Sequence, residues 1–251
     1  MAPISVPQPL NDSMFLLTTE RLILRHFQSL DSEPLVRVFG DPEVMCFGDG
    51  VQTQEWIRAW LRTCLDRCYP SWGFGPYAVV ERLSQDLVGY CGRFFFPDLA
   101  GQPEIELGYR LARAAWGQGY ATEAAGAVRD YALITLGLKR LISMSDPANL
   151  ASIRIAEKID MKYEKEILLE GYSHPDHVYV INSPFPLQQH RQRAQDNPKI
   201  HGRARIKLGD HDRGQEHGRD DQRIAGLGAD GCRAQALLHQ AVIVGDVQPQ
   251  G

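Results

Sequence analysis

Residues 104–124, EIELGYRLARAAWGQGYATEA, limit the possible folds of this 251-residue chain more than any other segment. The segment has the pattern of a strand, a short turn and the start of a helix, with Gly117 and Gly119 in the turn. Both glycines permit a positive φ and a close backbone approach, so consecutive amide N–H groups can converge on one anion. The positive end of the helix dipole lies at the same place. The pattern therefore predicts a phosphate-binding turn, and it lacks both the lysine of a P-loop and the third glycine of a dinucleotide-binding turn.

The residues before this turn predict helices followed by an antiparallel sheet. A strand is predicted over 15–27, a helix over 31–39, and a second helix after the candidate cap Thr53. Trp56 and Trp60 lie on one stripe of that second helix, which is typical of core residues. Three strands then follow in sequence, YAVVE, DLVGYCGRFFF and EIELGYRL, separated by turns of meander length.

The residues after the turn predict alternating helices and strands. Helices are expected over 119–135 and 149–158, and strands over 140–145, 162–169 and 177–181. Strand and helix in alternation at this spacing indicate the crossover geometry of βαβ units. The whole is expected to be an α+β domain with a mixed sheet.

The composition changes near residue 185. All 22 aromatic residues precede residue 186, and only 12 of the last 66 residues are Leu, Ile, Val or Phe. That share is below the roughly 20% at which a chain struggles to bury enough apolar surface. We therefore expect a flexible N-terminus at 1–13, one folded domain at 14–183, and a disordered C-terminal extension at 184–251. A basic interaction arm and an out-of-frame or misjoined reading stay open for the extension.

Simple counts disfavour several classes of protein. No window approaches the roughly 18 apolar residues that a membrane span needs, and MAPISVPQPL does not have the pattern of a signal peptide. A cytoplasmic protein with no membrane partner is therefore expected. The five cysteines include no CxxC pair, so neither a disulfide framework nor a metal site is expected. An isoelectric point near 6.1 disfavours a nucleic-acid partner.

Two motifs give the chain a family resemblance. WGQGYATEA at 116–124 and DPANLASIRIAEKIDM at 146–161 resemble the GNAT superfamily of acetyl-CoA-dependent N-acetyltransferases. More narrowly, they are similar to the RimJ/RimL-type branch, which contains the ribosomal-protein alanine acetyltransferases. The resemblance extends from TTERLILRHF at 18–27 to HPDHVYVIN at 174–182. It implies the GNAT fold, in which helices flank a mixed sheet with two splayed parallel strands, and it implies acetyl-CoA as co-substrate.

The resemblance also implies which residues bind acetyl-CoA. The pyrophosphate is expected on the turn, which comprises Trp116, Gly117, Gln118, Gly119, Tyr120, Ala121 and Thr122. The pantetheine arm is expected to pair with the backbone of Leu107, Gly108 and Tyr109, whose hydrogen-bonding groups would otherwise lack partners. Asn149 is expected to hydrogen-bond the arm from the next helix.

Two positions depart from the family pattern. Ala114 stands where Gln or Arg is usual, three residues before the first glycine, which puts one phosphate contact in doubt. Asp160 stands where glycine usually follows the helix. Since Asp tolerates the left-handed conformation better than most residues, we expect a modest cost in stability there and no loss of function.

Attack by an amine on a thioester needs a base, because a primary amine is protonated at pH 7. Glu104 and Glu106 are the candidates, since residues two apart on a strand share a face unless a bulge separates them. We favour Glu106, which directly precedes LGY; alternatively both are ordinary strand carboxylates, or Glu106 pairs with Arg110. Ser152, one turn from Asn149, resembles the residue that donates a proton to the departing thiolate. Its alternative role is capping or packing.

The expected reaction is direct acetyl transfer to a primary amine without a covalent enzyme intermediate. A protein N-terminus is the first expectation for the acceptor. A small-molecule amine, such as an aminoglycoside, a polyamine or an amino-acid derivative, is an alternative, and so is a non-catalytic acyl-CoA-binding module. Trp72, Phe74, Tyr77 and the segment 46–55 are candidates for lining the acceptor groove. No feature of the sequence indicates an oligomeric state.

Overall fold

An eight-stranded sheet organises residues 16–169 and 172–183, the part of the chain that the computed structural model describes. The strands are β1 Leu16–Thr18, β2 Leu22–Arg25, β3 Pro76–Glu81, β4 Leu87–Leu99, β5 Gln102–Leu111, β6 Arg140–Ser145, β7 Lys162–Ile167 and β8 Asp176–Asn182. Their spatial order is β1-β2-β3-β4-β5-β6-β8-β7. Neighbours are antiparallel except β5 and β6, which are parallel. The expected α+β fold with a mixed sheet is confirmed, while the expectations for 1–13 and 184–251 lie outside the described residues.

Helices cover both faces of this sheet. They are α1 Val36–Phe39, α2 Gln54–Thr63, α3 Tyr69–Trp72, α4 Tyr120–Asp130 and α5 Leu150–Lys158. A π-helical turn joins α2 to α3, and another follows α4. Thr53 caps α2 as expected, because its hydroxyl accepts a hydrogen bond from the Trp56 N–H at 3.2 Å. Within the described ranges, no helix is both long and apolar enough to cross a membrane.

Each face of the sheet buries its own apolar cluster. On the face we call the α4 face, α4 and α5 pack on side chains such as Leu107 and Leu141. On the opposite α2 face, α1 and α2 pack on β3, and Trp60 contributes to that core as expected. Phe94 extends the α2 face toward β6 and β8. Burial of this apolar surface is the main stabilising contribution to both layers.

The parallel pair β5 and β6 is joined at one position, Glu106 with Ile142. Residues 107–111 of β5 and 143–145 of β6 form no further ladder pairs with each other. The two strands therefore splay apart from that point, as the family resemblance implies. The edge of β5 that faces the gap keeps backbone groups available for another partner.

Three local predictions are wrong in their boundaries. The predicted strand at 15–27 is divided into β1 and β2 by a turn, in which Thr19 N–H donates to Leu22 O and its hydroxyl accepts from Leu22 N–H. Pro34 separates a 3-10 turn from the short α1, so the helix at 31–39 is interrupted. The segment YPSWGFGP at 69–76 predicts a turn that ends the second helix. The helix instead continues through α3, and Gly73 at φ 69° ends it.

The second residue after α5, Asp160, adopts the expected left-handed conformation. Asp160 has a φ of 65°, in the left-handed region that glycine usually occupies. Arg129 donates to the carbonyl of Ile159 at 2.7 Å and contacts the Asp160 carboxylate at 3.2 Å. These contacts hold the turn in place and offset part of the conformational cost.

Candidate active site

The turn between β5 and α4 offers a row of unoccupied amide groups. Gly117 and Gly119 have φ values of 73° and 79°, which confirms the positive φ expected of both. Among the described residues, the N–H groups of 117–119 donate no hydrogen bond. The first three N–H groups of α4, those of 120–122, have no acceptor within the helix by its geometry. Six consecutive amides are therefore available to an anion at the positive end of the helix dipole.

Trp116 differs from the other expected phosphate-binding residues. Its backbone N–H donates to Arg113 O at 3.0 Å, and its indole N–H donates to Leu111 O at 2.9 Å. Its amide is thus already occupied, while its side chain remains 48% exposed. Trp116 therefore stabilises the start of the turn, and only its exposed ring can contact a ligand.

Thr19 and Arg21, in the turn between β1 and β2, anchor the phosphate-binding turn. Neither of them was identified from the sequence. Glu123, in the first turn of α4, accepts hydrogen bonds from the Thr19 hydroxyl at 2.6 Å and from Arg21 N–H at 2.9 Å. The Arg21 guanidinium binds the same carboxylate and also donates to Gln118 O at 2.8 Å. The anchors use carbonyl and carboxylate oxygens and leave the amides free. The nearest signal in the sequence was the acidic residue at a helix N-terminus.

Glu106 lies where the two parallel strands separate. Its side chain is 1% exposed, and its Oε1 accepts a hydrogen bond from Met144 N–H of β6 at 3.2 Å. A side-chain oxygen thus occupies the position that a strand carbonyl would take in a continuous ladder. The carboxylate lies on the α2 face, opposite Phe94 of β4. Glu106 therefore wedges the gap open and presents a buried carboxylate to it.

Glu104 shares that face, as its spacing predicts, but it has other partners. It is 5% exposed, and Arg140 Nε donates to its Oε1 at 2.9 Å. The remaining guanidinium nitrogens of Arg140 bind Glu164, and the hydrogen bond from Arg140 lowers the pKa of the Glu164 carboxyl. Gln102 also donates to Glu104 at 2.6 Å. Glu104 is thus part of an ion-pair network between strands, which leaves Glu106 as the carboxylate beside the gap.

Asn149 and Ser152 lie together at the start of α5. Asn149 is the N-cap residue, and its Oδ1 accepts from Ser152 N–H at 3.1 Å. Capping uses the amide oxygen and leaves the amide NH₂ group able to donate to a ligand, so the capping role and the expected ligand role are compatible.

The Ser152 hydroxyl belongs to a group of three hydroxyls that the sequence did not reveal. Its Oγ lies 2.8 Å from Ser145 Oγ, at the end of β6, and 3.1 Å from Tyr109 Oη, on β5. Tyr109 also donates to Ser152 O at 3.0 Å. Burial raises the pKa of the Tyr109 phenol, and its hydrogen bond with Ser152 partly opposes that rise. The phenol therefore keeps its proton through the neutral range.

Glu106 and Ser152 approach the gap from opposite faces of the sheet. Glu106 reaches Met144 from the α2 face, and Ser152 reaches Ser145, the next residue of β6, from the α4 face. A group held in the gap would thus have a carboxylate on one side and a hydroxyl on the other. This is the arrangement that proton removal and proton delivery on two sides of one reacting centre require.

The α2 face beside Glu106 is bordered by two loops. Asp49 accepts a hydrogen bond from Tyr172 Oη at 3.1 Å, which links the loop after α1 to the loop before β8. Arg110 donates to Met45 Sδ at 2.9 Å and forms no ion pair among the described residues, so the alternative pairing of Glu106 with Arg110 does not occur. Asp49, within the segment 46–55, thus lies in one of these two loops.

Two of the aromatic candidates for the acceptor groove lie on the opposite side of the sheet from Glu106. Phe74 and Tyr77 are buried on the α4 face, where their rings contact the guanidinium of Arg93. Tyr77 also accepts a hydrogen bond from Arg93 at 2.7 Å. They lie on the side of the sheet away from Glu106 and cannot line a groove that leads to it. Trp72 contacts Phe95, which points to the same side of β4 as Arg93.

Comparison with known proteins agrees with this geometry. Residues 21–162 match the family model described as an acetyltransferase (GNAT) domain. The chain is 35% identical to the uncharacterized protein YkkB of Bacillus subtilis over 172 residues, which cover 66% of this chain and 95% of that one. It is 30% identical to the uncharacterized N-acetyltransferase p20 of Bacillus licheniformis, over 63% of this chain and 88% of that one.

A solved structure shows the same fold. The GNAT-family acetyltransferase of Bacillus anthracis superposes with a TM-score of 0.57 at 27% identity, covering 67% of this chain and 99% of that one. The splayed parallel strands, the open amides before α4 and the family match lead to one conclusion. This chain belongs to the GNAT family of acetyltransferases.

Proposed function

We propose that this protein transfers an acetyl group from acetyl-CoA directly to a primary amine, with Glu106 as the base and Ser152 as the proton donor. The observation that carries the proposal is the placement of these two groups on opposite faces of one gap, at successive residues of β6. The protein N-terminus remains the first acceptor to test, on the strength of the RimJ/RimL-type motifs in the sequence.

The residues fit acetyl-CoA in three places. The amides of 117–122 suit a diphosphate, because they are consecutive, unoccupied and at the positive end of α4. The unpaired edge of β5 at Leu107, Gly108 and Tyr109 suits the amide groups of a pantetheine arm. The NH₂ group of Asn149 supplies a further donor from α5. Acetyl-CoA brings the activated acetyl group, and the chain holds it.

The side chains at the gap then manage the protons. Glu106 removes a proton from the amine, directly or through one water, because only a neutral amine is nucleophilic. Ser152 donates a proton to the sulfur as the carbon–sulfur bond breaks. The ammonium form of the amine loses two protons, one before attack and one as the amide forms, and the departing thiolate gains one. The products are therefore an amide, a thiol and one proton released to water. No residue of the chain is acylated.

Thiol release from acetyl-CoA tests the assignment. We expect Glu106→Gln to lower kcat by about 10²–10⁴-fold and Ser152→Ala to lower it by a smaller factor, as is usual for loss of a general base or acid. Glu104→Gln is the matched control, because it removes a buried carboxylate from the same strand face but away from the gap. Glu104→Gln should lower the melting temperature, while its kcat stays much closer to the wild-type value than that of Glu106→Gln. Equal kcat values for Glu106→Gln and the wild type would contradict the assignment.

The choice of acceptor needs its own panel. Peptides that differ at the N-terminal residue would be compared with polyamines, aminoglycosides and amino acids, at one acetyl-CoA concentration and with thiol release as the readout. We expect the highest kcat/KM for a peptide N-terminus. A higher kcat/KM for a small amine would contradict the peptide N-terminus as the acceptor. Tight acetyl-CoA binding without turnover on any amine would favour the non-catalytic acyl-CoA-binding module.

A further inference from the structure

The Ser152 hydroxyl is a weak acid for the role proposed above. An aliphatic hydroxyl has an acidity near that of water and is a far weaker acid than an ordinary thiol, whose pKa is about 8.5. Proton transfer from Ser152 alone to the thiolate is therefore strongly uphill. A phenol has an ordinary pKa of about 10, much closer to that of the thiol. A proton that originates on a phenol meets a smaller barrier than one that originates on a serine.

A phenol lies within hydrogen-bonding distance of Ser152. Tyr109 Oη donates to Ser152 O at 3.0 Å and lies 3.1 Å from Ser152 Oγ, a contact in which either hydroxyl can be the donor. Burial raises the pKa of Tyr109, and its hydrogen bond with Ser152 lowers it in part. The same burial ensures that the phenol carries its proton at neutral pH. Tyr109 can thus supply a proton to Ser152 as Ser152 gives one up.

Ser145 contacts Ser152 from the other side. Its hydroxyl is 5% exposed and lies 2.8 Å from Ser152 Oγ. If Ser145 donates to Ser152, the Ser152 proton cannot point back at Ser145 and is directed to the gap or to Tyr109. The two neighbours therefore have different effects: Ser145 orients the hydroxyl and Tyr109 replenishes it.

We propose that Tyr109 and Ser145 act through Ser152 as a proton relay for the departing thiolate, an inference that rests on the proposed function. As the carbon–sulfur bond breaks, the sulfur takes the Ser152 proton, and Ser152 takes the Tyr109 proton. The resulting phenolate regains a proton from water, while Glu106 passes to water the two protons that the ammonium nitrogen loses. Each bond to hydrogen that breaks is matched by one that forms. Tyr109 and Ser145 are positioning residues in this scheme, because neither touches the sulfur.

Single and double variants test the relay. Tyr109→Phe and Ser145→Ala each remove one hydroxyl, and we expect each to lower kcat about tenfold while the Kd for acetyl-CoA changes less than about twofold. Ser145→Thr keeps a hydroxyl and should restore most of kcat. Ser143→Ala is the matched control, since Ser143 is a buried serine on the same face of β6, 3% exposed, without a hydrogen bond to Ser152. It should leave kcat within about twofold of the wild type.

The coupling between Tyr109 and Ser152 in kcat distinguishes the relay from a purely structural role, because a structural role predicts independent effects of the two substitutions. In the Ser152→Ala background, Tyr109→Phe should cost nothing further, because the relay has lost its only exit. Additive losses in the double variant, or kcat within twofold of wild type for both Tyr109→Phe and Ser145→Ala, would overturn the relay. Melting temperatures of all variants separate loss of fold from loss of transfer.

Failure of the proposed function gives a different result. If the wild type acetylates no amine, thiol release by water attack on acetyl-CoA is measured for the same variants, since that reaction releases the same thiolate. The same non-additive pattern in the hydrolysis rates would support the relay and contradict the proposed transfer to an amine. Equal hydrolysis rates in all variants would overturn the relay as well.

Discussion

Arg93 is a charged residue that is buried on the α4 face of the sheet. It is 2% exposed, its Nε has no hydrogen-bond partner, and it forms no ion pair among the described residues. Its guanidinium lies over the rings of Phe74, Tyr77 and Tyr131 at 4.7, 6.0 and 5.5 Å from their centroids. A planar, weakly hydrated cation can use such ring faces, whereas a compact ammonium group cannot use them as well.

Replacement of Arg93 by another cation and by a hydrophobic residue should therefore change the free energy of unfolding by different amounts. We expect Arg93→Lys to lower the free energy of unfolding by about 1–3 kcal/mol, because it buries a strongly hydrated charge. Arg93→Met should change it by less than about 1 kcal/mol, since a hydrophobe of similar length carries no desolvation cost. Urea unfolding measures both. A larger loss for Met than for Lys would mean that the positive charge itself is stabilising.

The glycines of α4 and its preceding turn allow a prediction for that element. Gly119 has a φ of 79°, and an added Cβ there would lie 3.4 Å from Arg21 Nη2, whereas one at Gly126 would meet its nearest neighbour at 3.8 Å. We expect Gly119→Ala to destabilise the fold by about 1–2 kcal/mol and to weaken acetyl-CoA binding, because the turn must leave the left-handed region. Gly126→Ala should instead stabilise α4 by about 0.5–1 kcal/mol.

Calorimetric binding and thermal unfolding of the two alanine variants test this directly. Equal affinity for acetyl-CoA in Gly119→Ala and the wild type would mean that the backbone of the turn does not hold the diphosphate. Loss of affinity in Gly126→Ala would point to a general disturbance of α4.

The link between the β1–β2 turn and α4 should depend on pH. Burial raises the pKa of Glu123, but hydrogen bonds from Thr19 and from the N–H and guanidinium of Arg21 lower it by more, so the net shift is downward from 4.5. A carboxyl with a depressed pKa in the folded state adds stability above its ordinary pKa, and that stability is lost as pH falls through the folded value. The contribution of Glu123 is therefore complete at pH 7 and disappears below about pH 4.5.

The difference in melting temperature between the wild type and Glu123→Gln isolates this contribution. We expect the wild type to be more stable at pH 7 and the difference to shrink between pH 5 and pH 3. A difference that stays constant over that range would show that the Glu123 charge does not contribute.

For the whole molecule, the position of β8 decides where the folded unit can end. β8 pairs with β6 on one side and with β7 on the other, so it is an interior strand. After it, Ser183 N–H still donates to Lys139 O at 2.8 Å. The family match ends before β8, at residue 162.

We therefore expect a chain that ends at Ser183 to fold and to bind acetyl-CoA as the full chain does. Its melting temperature should lie within about 4 °C of that of the full chain, which corresponds to roughly 1 kcal/mol for a domain of this size. A chain that ends at Pro175 is the contrast, because loss of β8 separates β7 from the sheet, and it should not fold. Loss of binding on truncation at Ser183 would mean that residues beyond 183 support the domain.

Short-range interactions account for what the sequence determined by itself. Thr53 and Asn149 cap their helices, Gly117 and Gly119 take positive φ, and Asp160 takes the left-handed conformation. Each of these depends on a residue and its neighbours within about one helical turn, so local chemistry suffices. The shared face of Glu104 and Glu106 follows in the same way from the two-residue period of a strand.

Packing between distant segments decided the rest. Arg140 binds Glu104 and leaves Glu106 at the gap, Glu123 meets Arg21 across 102 positions, and Tyr109 reaches Ser152 across 43. Residue spacing along the chain does not predict such contacts. They form only when the strands have taken their order in the sheet and the helices have packed on its two faces. The sequence determined which local parts form, and tertiary packing decided which carboxylate and which hydroxyls meet at the gap.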